Sequence, residues 1–389
     1  MTRTVLHRCS VWLPTTENWI YNQVHYCDGG FEQHVACLKL ENPGRFPVPV
    51  LHRFPNASLL GRLRRTGLPG LRGRVTELPW LWRCLRRIRP AVVHSHFGDS
   101  GYEAAGMLSK MGIKHVVTFY GYDVNRLPLV FPEWKKRYRA LFRLANLFLC
   151  EGSHMAGCLI ALGCPRDKIK VQHLGVEIDR ILFTPRKWTP SSPFRVLITA
   201  SFREKKGIPD ALQALAKVRS ELPLEVTIIG DASAHPKDQR EKEKILAVLG
   251  ETGLNNCTRL LGYQPHEVLW QEALTHHLFL QPSLTASDGD TEGGAPVTLI
   301  EMAASGMPIV STRHCDIPGI VLDGETGLLA EERNANELAA HITQLSRHPG
   351  TWLSMLQKGR QHIERNFSCI IQGQKLAQLY HGLLGAHAN

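Results

Sequence analysis

The sequence lacks the features of a membrane-spanning or disulfide-stabilised protein. No stretch approaches the roughly 18 consecutive apolar residues of a membrane-spanning helix, and His7 and Arg8 interrupt the first apolar run. We therefore expect neither a signal peptide nor a membrane anchor. The ten cysteines are dispersed without a C-x-x-C pair, which predicts reduced thiols and a cytoplasmic protein.

Acidic residues are nearly absent between Arg45 and Arg89, where Glu77 stands alone against eleven arginines. Such a basic face suits an anionic membrane surface or a lipid-linked diphosphate, and a merely solvated face is the alternative. No DNA- or RNA-binding motif accompanies it, so nucleic acid is not an expected partner. We expect peripheral contact with the inner face of the cell membrane through this region.

Short apolar runs alternate with amphipathic stretches of helical length, in two series. One series runs from TVLHRCSVWL to KVQHLGV, and the other from FRVLITASF to GLLAE. This alternation predicts an α/β protein with two Rossmann-like, doubly wound parallel-sheet domains. The string TPRKWTPSSPF predicts a linker near residues 184–193. The expected domains are 1–184, completed by about 370–389, and 185–369.

The loop SLTASDGDTEGGAPVTLIEMAASGMPIVST joins a strand to a helix and carries the most informative residues. Its glycines allow close backbone approach to a ligand, and the free amides that follow Pro296 can hold a diphosphate. Glu292 and Glu301 can accept hydrogen bonds from vicinal hydroxyls. Helix capping and a solvated helical position are the alternatives for these two carboxylates.

This loop resembles the family 4 retaining glycosyltransferases, whose signature is E-G-x-P-x-x-L-x-E-A-M-A-x-G-x-P-V-V-x-T. The matching residues are Glu292, Gly293, Pro296, Leu299, Glu301, Met302, Ala303, Gly306, Pro308 and Thr312. SFREKKGIPDALQAL, EVTIIGD and DGETGLLAEERNANELA extend the resemblance over nearly the whole chain. The D-G-D-x-E-G string, Asp288 to Gly293, resembles transferases of exopolysaccharide and colanic-acid-type assembly.

The resemblance implies a GT-B fold, with two domains facing across a cleft and the last helix packing back on the N-terminal domain. It implies hexosyl transfer with retention from a nucleotide diphosphate sugar to a glycan or lipid-linked acceptor in bacterial cell-surface polysaccharide biosynthesis. We expect no metal or other cofactor, because Asp288 and Asp290 lack a third ligand in register. The alternatives are a non-catalytic nucleotide-sugar-binding protein and a GT-B epimerase or phosphorylase.

The C-terminal domain is expected to bind the donor. Lys206 would contact the phosphates, with a charged surface turn as the alternative, and Glu292 would orient the sugar; these two are the expected catalytic residues. Ser201 stands where the family has a phosphate-binding arginine, and Arg203 is the candidate substitute. The other expected donor-binding residues are Gly207, Gly230, Tyr263, Gly293, Gly294, Ala295, Pro296, Val297, Thr298 and Glu301. A turn glycine is the alternative for Gly230, and a core aromatic for Tyr263.

The N-terminal domain is expected to bind the acceptor. The strings TENWI, VVHSHFGDSG and VTFYGYDVNR resemble family segments and assign this role to Thr16, Glu17, His96, Gly98, Tyr120 and Asp123. Helix capping is the alternative for the first two, and a buried hydrogen-bonding role for His96. Tyr120 replaces the family's histidine, and a phenol is a poor general base at neutral pH.

Overall fold

The computed structural model describes residues 2–14, 17–55, 74–294 and 296–385, without the side chains of residues 74–76. The chain divides into two compact units, residues 1–175 with 369–389, and residues 176–368. This division lies nine residues before the predicted boundary at residue 184. Two of the predicted site residues, Thr16 and Ala295, lie outside the described residues.

The predicted linker is a packed part of the second unit. Thr184 donates its backbone N–H to Ser305 O at 2.9 Å, and the Arg186 side chain donates to Ala273 O at 3.0 Å. The Trp188 ring packs edge-on against Phe194 with centroids 5.1 Å apart. Prolines and serines in this string therefore mark irregular backbone rather than a free connection.

The first unit contains a seven-stranded parallel sheet with the order β3-β2-β1-β4-β5-β6-β7. The winding direction reverses between β1 and β4, which opens a crevice at their carboxyl ends. The strands are β1 Arg3–Trp12, β2 Phe31–Leu40, β3 Val50–Arg53, β4 Val92–His96, β5 Lys114–Thr118, β6 Leu147–Cys150 and β7 Ile169–Val171.

The last helix of the chain completes the core of the first unit. Leu376, Ala377 and Tyr380 are buried in one cluster with Val5 and Phe31, which confirms that this helix returns to the first domain. The helices of the unit are α1 Asn18–His25, α2 Arg74–Ile88, α3 Gly98–Lys110, α4 Leu127–Val130, α5 Glu133–Leu144, α6 Ser153–Ala161 and the C-terminal Cys369–Leu383, with a π-helix at Tyr122–Arg126 and a 3-10 turn at Arg166–Lys168.

The second unit contains a six-stranded parallel sheet with the order β10-β9-β8-β11-β12-β13. Separate apolar clusters cover its two faces, so the doubly wound, Rossmann-like prediction is confirmed for both units. The winding direction reverses between β8 and β11. The strands are β8 Phe194–Thr199, β9 Leu224–Ile229, β10 Thr258–Gly262, β11 Leu278–Gln281, β12 Ile309–Thr312 and β13 Leu328–Ala330.

Helices of the second unit follow the strands in the order that the sequence predicts. They are α7 Ile208–Val218, α8 Pro236–Glu251, α9 His266–Thr275, α10 Val297–Ser305, α11 Ile317–Ile320, α12 Ala335–Arg347 and α13 Trp352–Phe367, with 3-10 turns at Ile178–Arg180, Glu204–Lys206, Leu254–Cys257 and Pro349–Thr351. Among the described residues of the whole chain, no helix combines the length and apolarity needed to cross a bilayer. The ten cysteines are free thiols.

Candidate active site

The predicted diphosphate-binding loop connects β11 to α10, beside the point where the winding of the second sheet reverses. Pro296 stands at the N-cap, and no side chain of the cap residue bonds the first turn. The N–H groups of Val297 and Thr298 are therefore free of helical partners and can donate to an anion. The Thr298 hydroxyl donates to Gln281 Oε1 at 3.1 Å, which fixes the helix start to the end of β11.

Glu292 of this loop forms an ion pair with Lys206 of the Glu204–Lys206 turn, and the two side chains are 7% and 18% exposed. Lys206 Nζ donates to Glu292 Oε1 at 2.7 Å and Oε2 at 2.8 Å, and the Ser283 hydroxyl donates to Oε1 at 2.7 Å. Burial by itself raises the pKa of Glu292, but Lys206 and Lys205 oppose that effect and lower the pKa to about 2. Glu292 is therefore a carboxylate at neutral pH and acts as a hydrogen-bond acceptor.

Charged residues tie the loop to the turn that carries Lys206. Arg203 pairs with Asp290 at 3.0 Å, and Lys205 Nζ donates to Thr291 O at 2.7 Å. Lys237 pairs with Asp288. Arg203 is thus engaged with a loop carboxylate, and the two aspartates that could suggest a metal site face protein cations.

Two predicted donor residues, Gly207 and Gly230, are required by close backbone contacts. At Gly207 φ is +63°, and a Cβ atom there would lie 1.9 Å from Pro282 O. At Gly230 φ is +131°, and a Cβ atom would lie 1.9 Å from Ala200 O. Both positions admit only glycine, because the backbone carbonyl groups that follow β11 and β8 approach them so closely. Ser201 follows Ala200 and is half-buried. Its backbone carbonyl accepts the Arg203 N–H at 2.8 Å.

The glycines of the loop itself differ in conformation. Gly293 has φ +82°, and its N–H donates to Thr291 Oγ1 at 3.1 Å. Gly294 is buried. The loop therefore turns sharply just before the helix, where a left-handed residue is needed.

Glu301 and Tyr263 occupy the other end of the predicted donor site. The Glu301 carboxylate is nearly buried and lies 3.2 Å from Nε2 of His266, a residue that the sequence analysis did not single out. Tyr263 follows β10 and is 61% exposed. Its ring is therefore available at the surface, and the core-packing alternative for Tyr263 is wrong.

His314 and Glu332 form a hydrogen-bonded pair that the sequence analysis missed, and His314 holds the backbone of Glu292. His314 Nδ1 donates to Glu332 Oε1 at 2.6 Å, and the Glu292 N–H donates to His314 Nε2 at 3.1 Å. Glu332 Oε2 also accepts the Thr285 N–H at 2.8 Å. The pair therefore holds the beginning and the end of the loop. Its only sequence signal is that each residue follows the carboxyl end of a strand, β12 or β13.

In the first unit, four predicted acceptor residues come together at the carboxyl ends of β4 and β5. Asp123 accepts the Gly98 N–H at 2.7 Å and the Tyr120 N–H at 3.0 Å. The Tyr120 hydroxyl lies 2.6 Å from His96 Nδ1, and burial raises the pKa of this phenol well above 10. Asp123, whose pKa burial raises to about 7, and His96 are almost fully buried. Their side chains hold the strand ends together beneath the surface.

The hydrogen bonds of His96 belong to a longer buried chain. His7 Nε2 donates to Gln33 Oε1 at 3.0 Å, so His7 Nδ1 accepts from His96 Nε2, also at 3.0 Å. His7, His94 and His96 could approach one metal ion. Burial lowers the pKa of all three imidazoles, and each ring nitrogen has a protein partner. Neutral, hydrogen-bonded histidines account for this cluster.

Glu17 lies directly before α1, but its side chain does not cap that helix. The capping alternative is therefore not observed for Glu17. Its carboxyl is partly buried, and burial with the nearby charge of Glu41 raises its pKa.

Solved structures with the same architecture are glycosyltransferases and related enzymes. The Anabaena HepE structure in complex with UDP matches 98% of this chain and 100% of its own, with TM-score 0.76 and 15% identity. Sucrose-phosphate synthase from Thermosynechococcus elongatus matches 99% of this chain and 100% of its own, with TM-score 0.75 and 16% identity. At this identity the likeness shows the fold, which is GT-B with two Rossmann-like domains.

Sequence comparison gives the family. Residues 21–180 match Glycosyltransferase Family 4, and residues 183–362 match Glycosyl transferases group 1. The chain is 32% identical over 288 residues to the amylovoran biosynthesis glycosyltransferase AmsK of Erwinia amylovora, covering 73% of this chain and 68% of that one. It is 31% identical over 303 residues to the putative colanic acid biosynthesis glycosyltransferase WcaL of Escherichia coli K12, covering 76% and 71%. The chain therefore belongs to the glycosyltransferases, with a family 4 domain followed by a group 1 domain.

Proposed function

We propose that this protein transfers a hexosyl residue, with retention, from a nucleotide diphosphate sugar to a glycan or lipid-linked acceptor in bacterial cell-surface polysaccharide biosynthesis. The relatives AmsK and WcaL are named for amylovoran and colanic acid biosynthesis. HepE has been solved with UDP and with UDP-glucose. The observation that carries the proposal is the partly buried Lys206–Glu292 pair beside the uncapped start of α10.

The donor's diphosphate would lie against the start of α10. The N–H groups of Val297 and Thr298 supply fixed donors, and the helix dipole favours negative charge there. Lys206 donates two of its three N–H groups to Glu292, so the third can donate to a phosphate oxygen. These groups would stabilise the charge that develops on the leaving nucleotide.

Glu292 would hold the transferred sugar, and Glu301 the ribose. With a pKa of about 2, Glu292 cannot donate a proton at neutral pH, but it can accept hydrogen bonds from sugar hydroxyls. Glu301 lies inside α10, about one and a half turns beyond Pro296, and Tyr263 stands exposed after β10 for the nucleobase. Gly207, Gly230, Gly293 and Gly294 would let the backbone approach the donor.

Proton removal from the acceptor would fall to the leaving phosphate, on the same face of the sugar. Tyr120 offers no alternative, because burial raises the pKa of its phenol well above 10. His96, Gly98, Tyr120 and Asp123 would instead shape the acceptor site from below. This division of roles is consistent with retention.

No metal or organic cofactor is needed in this proposal. Lys206 and the amides of α10 carry the positive charge that a divalent cation would otherwise supply. Asp288 and Asp290 have their own cationic partners, Lys237 and Arg203. Activity that survives prolonged incubation with a chelator would support this point, and strict dependence on an added cation would contradict it.

Peripheral contact with an anionic membrane is the proposed second partnership. The arginines of the 45–89 region whose side chains the structure describes are all exposed: Arg45, Arg53, Arg83, Arg86, Arg87 and Arg89. The remaining five, Arg62, Arg64, Arg65, Arg72 and Arg74, lie outside the described residues or side chains. A cluster of this size attracts anionic lipid headgroups.

The test is a transfer assay with a matched control. Purified protein is incubated with a panel of nucleotide sugars and a bacterial lipid-linked glycan extract, and release of nucleoside diphosphate is followed. We expect acceptor-dependent release that Glu292→Ala and Lys206→Ala abolish, whereas Lys217→Ala, an exposed lysine on α7, leaves it unchanged.

The stereochemistry and the alternative function have separate readouts. The anomeric configuration of the product, measured by NMR, must match that of the donor, and an inverted product would refute retention. Donor binding without release across a broad acceptor panel would instead indicate a non-catalytic nucleotide-sugar-binding protein.

A further inference from the structure

An exposed apolar tip follows the predicted acceptor residues in the first unit. It consists of Leu129, Val130 and Phe131, which are 54%, 44% and 46% exposed. We name these three residues the lip. Single exposed apolar residues are common on protein surfaces, but three in succession form a patch that a partner is expected to cover.

The lip is held rigidly, because the residues on either side of it are anchored. Leu127 is buried, and Phe131 donates its N–H to Leu127 O at 3.0 Å. On the other side Tyr138 is fully buried and donates its hydroxyl to Asp123 O at 2.7 Å. The backbone therefore presents the lip to solvent as a defined feature of the fold.

Basic side chains cover the solvent face of the next helix, α5. Lys135, Lys136, Arg139 and Arg143 are all exposed. Arg139 follows Lys135 by four residues and Lys136 by three, and Arg143 follows Arg139 by four, so all four lie along one side of the helix. Tyr138, Leu141 and Phe142 are buried on the opposite side. We name the four cations the stripe; within the part of the chain that the structure describes, none of them forms an ion pair.

We propose that the lip and the stripe together dock on an anionic lipid bilayer, with the lip inserted among the lipids and the stripe at the phosphate headgroups. The apolar residues supply burial in the bilayer interface, and the cations supply electrostatic attraction to anionic lipid. Charge complementarity selects this occupant, because four neighbouring cations beside an apolar tip match a surface of negative headgroups over hydrocarbon.

The lip follows the predicted acceptor residues closely in the chain. The chain leaves β5 at Thr118, passes Tyr120 and Asp123, and reaches the lip after the π-helix Tyr122–Arg126. A bilayer on the lip would therefore lie near the carboxyl ends of β4 and β5. Resting on the proposed function, this placement identifies the acceptor as lipid-linked, since such a substrate is presented at a membrane surface.

Vesicle sedimentation tests the docking directly. The full chain is mixed with vesicles of phosphatidylcholine alone, or of phosphatidylcholine and phosphatidylglycerol in equal parts, and the bound fraction is measured at low and high salt. We expect binding to the anionic vesicles that salt weakens. Lys135→Gln with Arg139→Gln should weaken it about 25-fold, at about fivefold for each charge.

The apolar half of the surface has its own variants. Leu129→Ser with Phe131→Ser should weaken binding at every salt concentration, because burial of apolar groups is not screened. Matched controls in the second unit are Leu182→Ser, which removes an apolar side chain that is 78% exposed, and Lys217→Gln. Both controls should bind vesicles as the unchanged chain does.

Three results would overturn the proposal. They are absence of binding to the anionic vesicles, binding that the lip and stripe variants leave unchanged, and equal losses in the controls. Unchanged binding would assign the attraction to the 45–89 region instead. Capture by a soluble polyanion that depends on the stripe but not on the lip would show a merely basic surface.

A transfer assay separates this proposal from the proposed function. With a water-soluble acceptor fragment, the lip variants should release nucleoside diphosphate at the normal rate, whereas with acceptor embedded in vesicles they should lose most activity. Vesicle binding that depends on the lip, without transfer to either acceptor, would refute the proposed function but support the docking proposal. Equal loss with both acceptors would show that the lip supports the fold rather than the membrane contact.

Discussion

Replacing Lys206 with methionine removes the charge that faces the buried carboxylate of Glu292 while keeping a side chain of similar length. The pKa of Glu292 is lowered from 4.5 to about 2. At about 1.36 kcal/mol for each pH unit, ionisation of this carboxylate stabilises the native state by about 3 kcal/mol. Because the variant leaves a buried carboxylate with weaker compensation, we expect the free energy of unfolding at pH 7 to fall by about that amount.

The pH dependence gives this prediction a second readout. In the unchanged chain the depressed pKa contributes full stability above pH 4.5 and loses it only as the pH falls towards 2, so Glu292 adds no slope between pH 7 and pH 5. In Lys206→Met, burial raises the pKa of Glu292 and only Lys205 and Ser283 are left to oppose it, so we expect that pKa to rise above its ordinary value of 4.5. Folding then takes up a proton, and the variant should gain stability as the pH falls from 7 to 5.

Urea-induced unfolding followed by circular dichroism at both pH values measures these effects. Lys206→Met combined with Glu292→Gln should recover most of the lost stability without recovering transfer, because neither charge of the pair is then left without its partner. The exposed control Lys217→Met should change the free energy of unfolding by no more than about 0.5 kcal/mol. A Lys206→Met variant as stable as the unchanged chain at pH 7, or a loss that the second substitution does not relieve, would refute the reasoning.

Three further outcomes follow from contacts elsewhere. Glu332→Gln should raise KM for the nucleotide sugar about tenfold with little change in overall stability, since it weakens the charged bond to His314 that supports the loop; an unchanged KM would contradict this. Gly207→Ala should lower the free energy of unfolding by at least about 2 kcal/mol, because its Cβ atom would meet Pro282 O; a neutral result in urea unfolding would be inconsistent with the backbone geometry. Asp123→Asn should lower the free energy of unfolding by about 1–3 kcal/mol in the same measurement, because an amide has one oxygen and cannot accept the Gly98 and Tyr120 N–H groups on separate oxygens. A variant as stable as the unchanged chain would contradict the structural role of these two bonds.

Much of the architecture could be predicted because apolar runs and helical periodicity are local properties. The strand-to-helix loop around Glu292 could be located for the same reason, since glycine, proline and two glutamates stand within one short string. What these patterns cannot give is the pairing of distant loops. His314 and Glu332 meet behind Glu292 only because parallel strands end at one edge of the sheet.

Burial was the property least accessible to sequence. His96 and Asp123 lie in strings that resemble family segments, and both residues were expected to contact the acceptor. The structure buries both side chains. His96 bonds His7 and Asp123 bonds Gly98, which are 89 and 25 residues away in the sequence. The linker prediction failed for a related reason, because Arg186 finds carbonyl partners in the second unit that composition does not reveal.

The return of the final helix to the first unit has a consequence for synthesis. Val5 and Phe31 are covered by Leu376 and Tyr380, so the core of the first unit stays incomplete until the helix Cys369–Leu383 has left the ribosome. At about 5–20 residues per second, translation of residues 176–368 takes about 10–40 s. During that interval the face of the first sheet that carries Val5 and Phe31 is exposed to solvent, while the second unit can already fold. A chain truncated before Cys369 would keep this apolar face exposed.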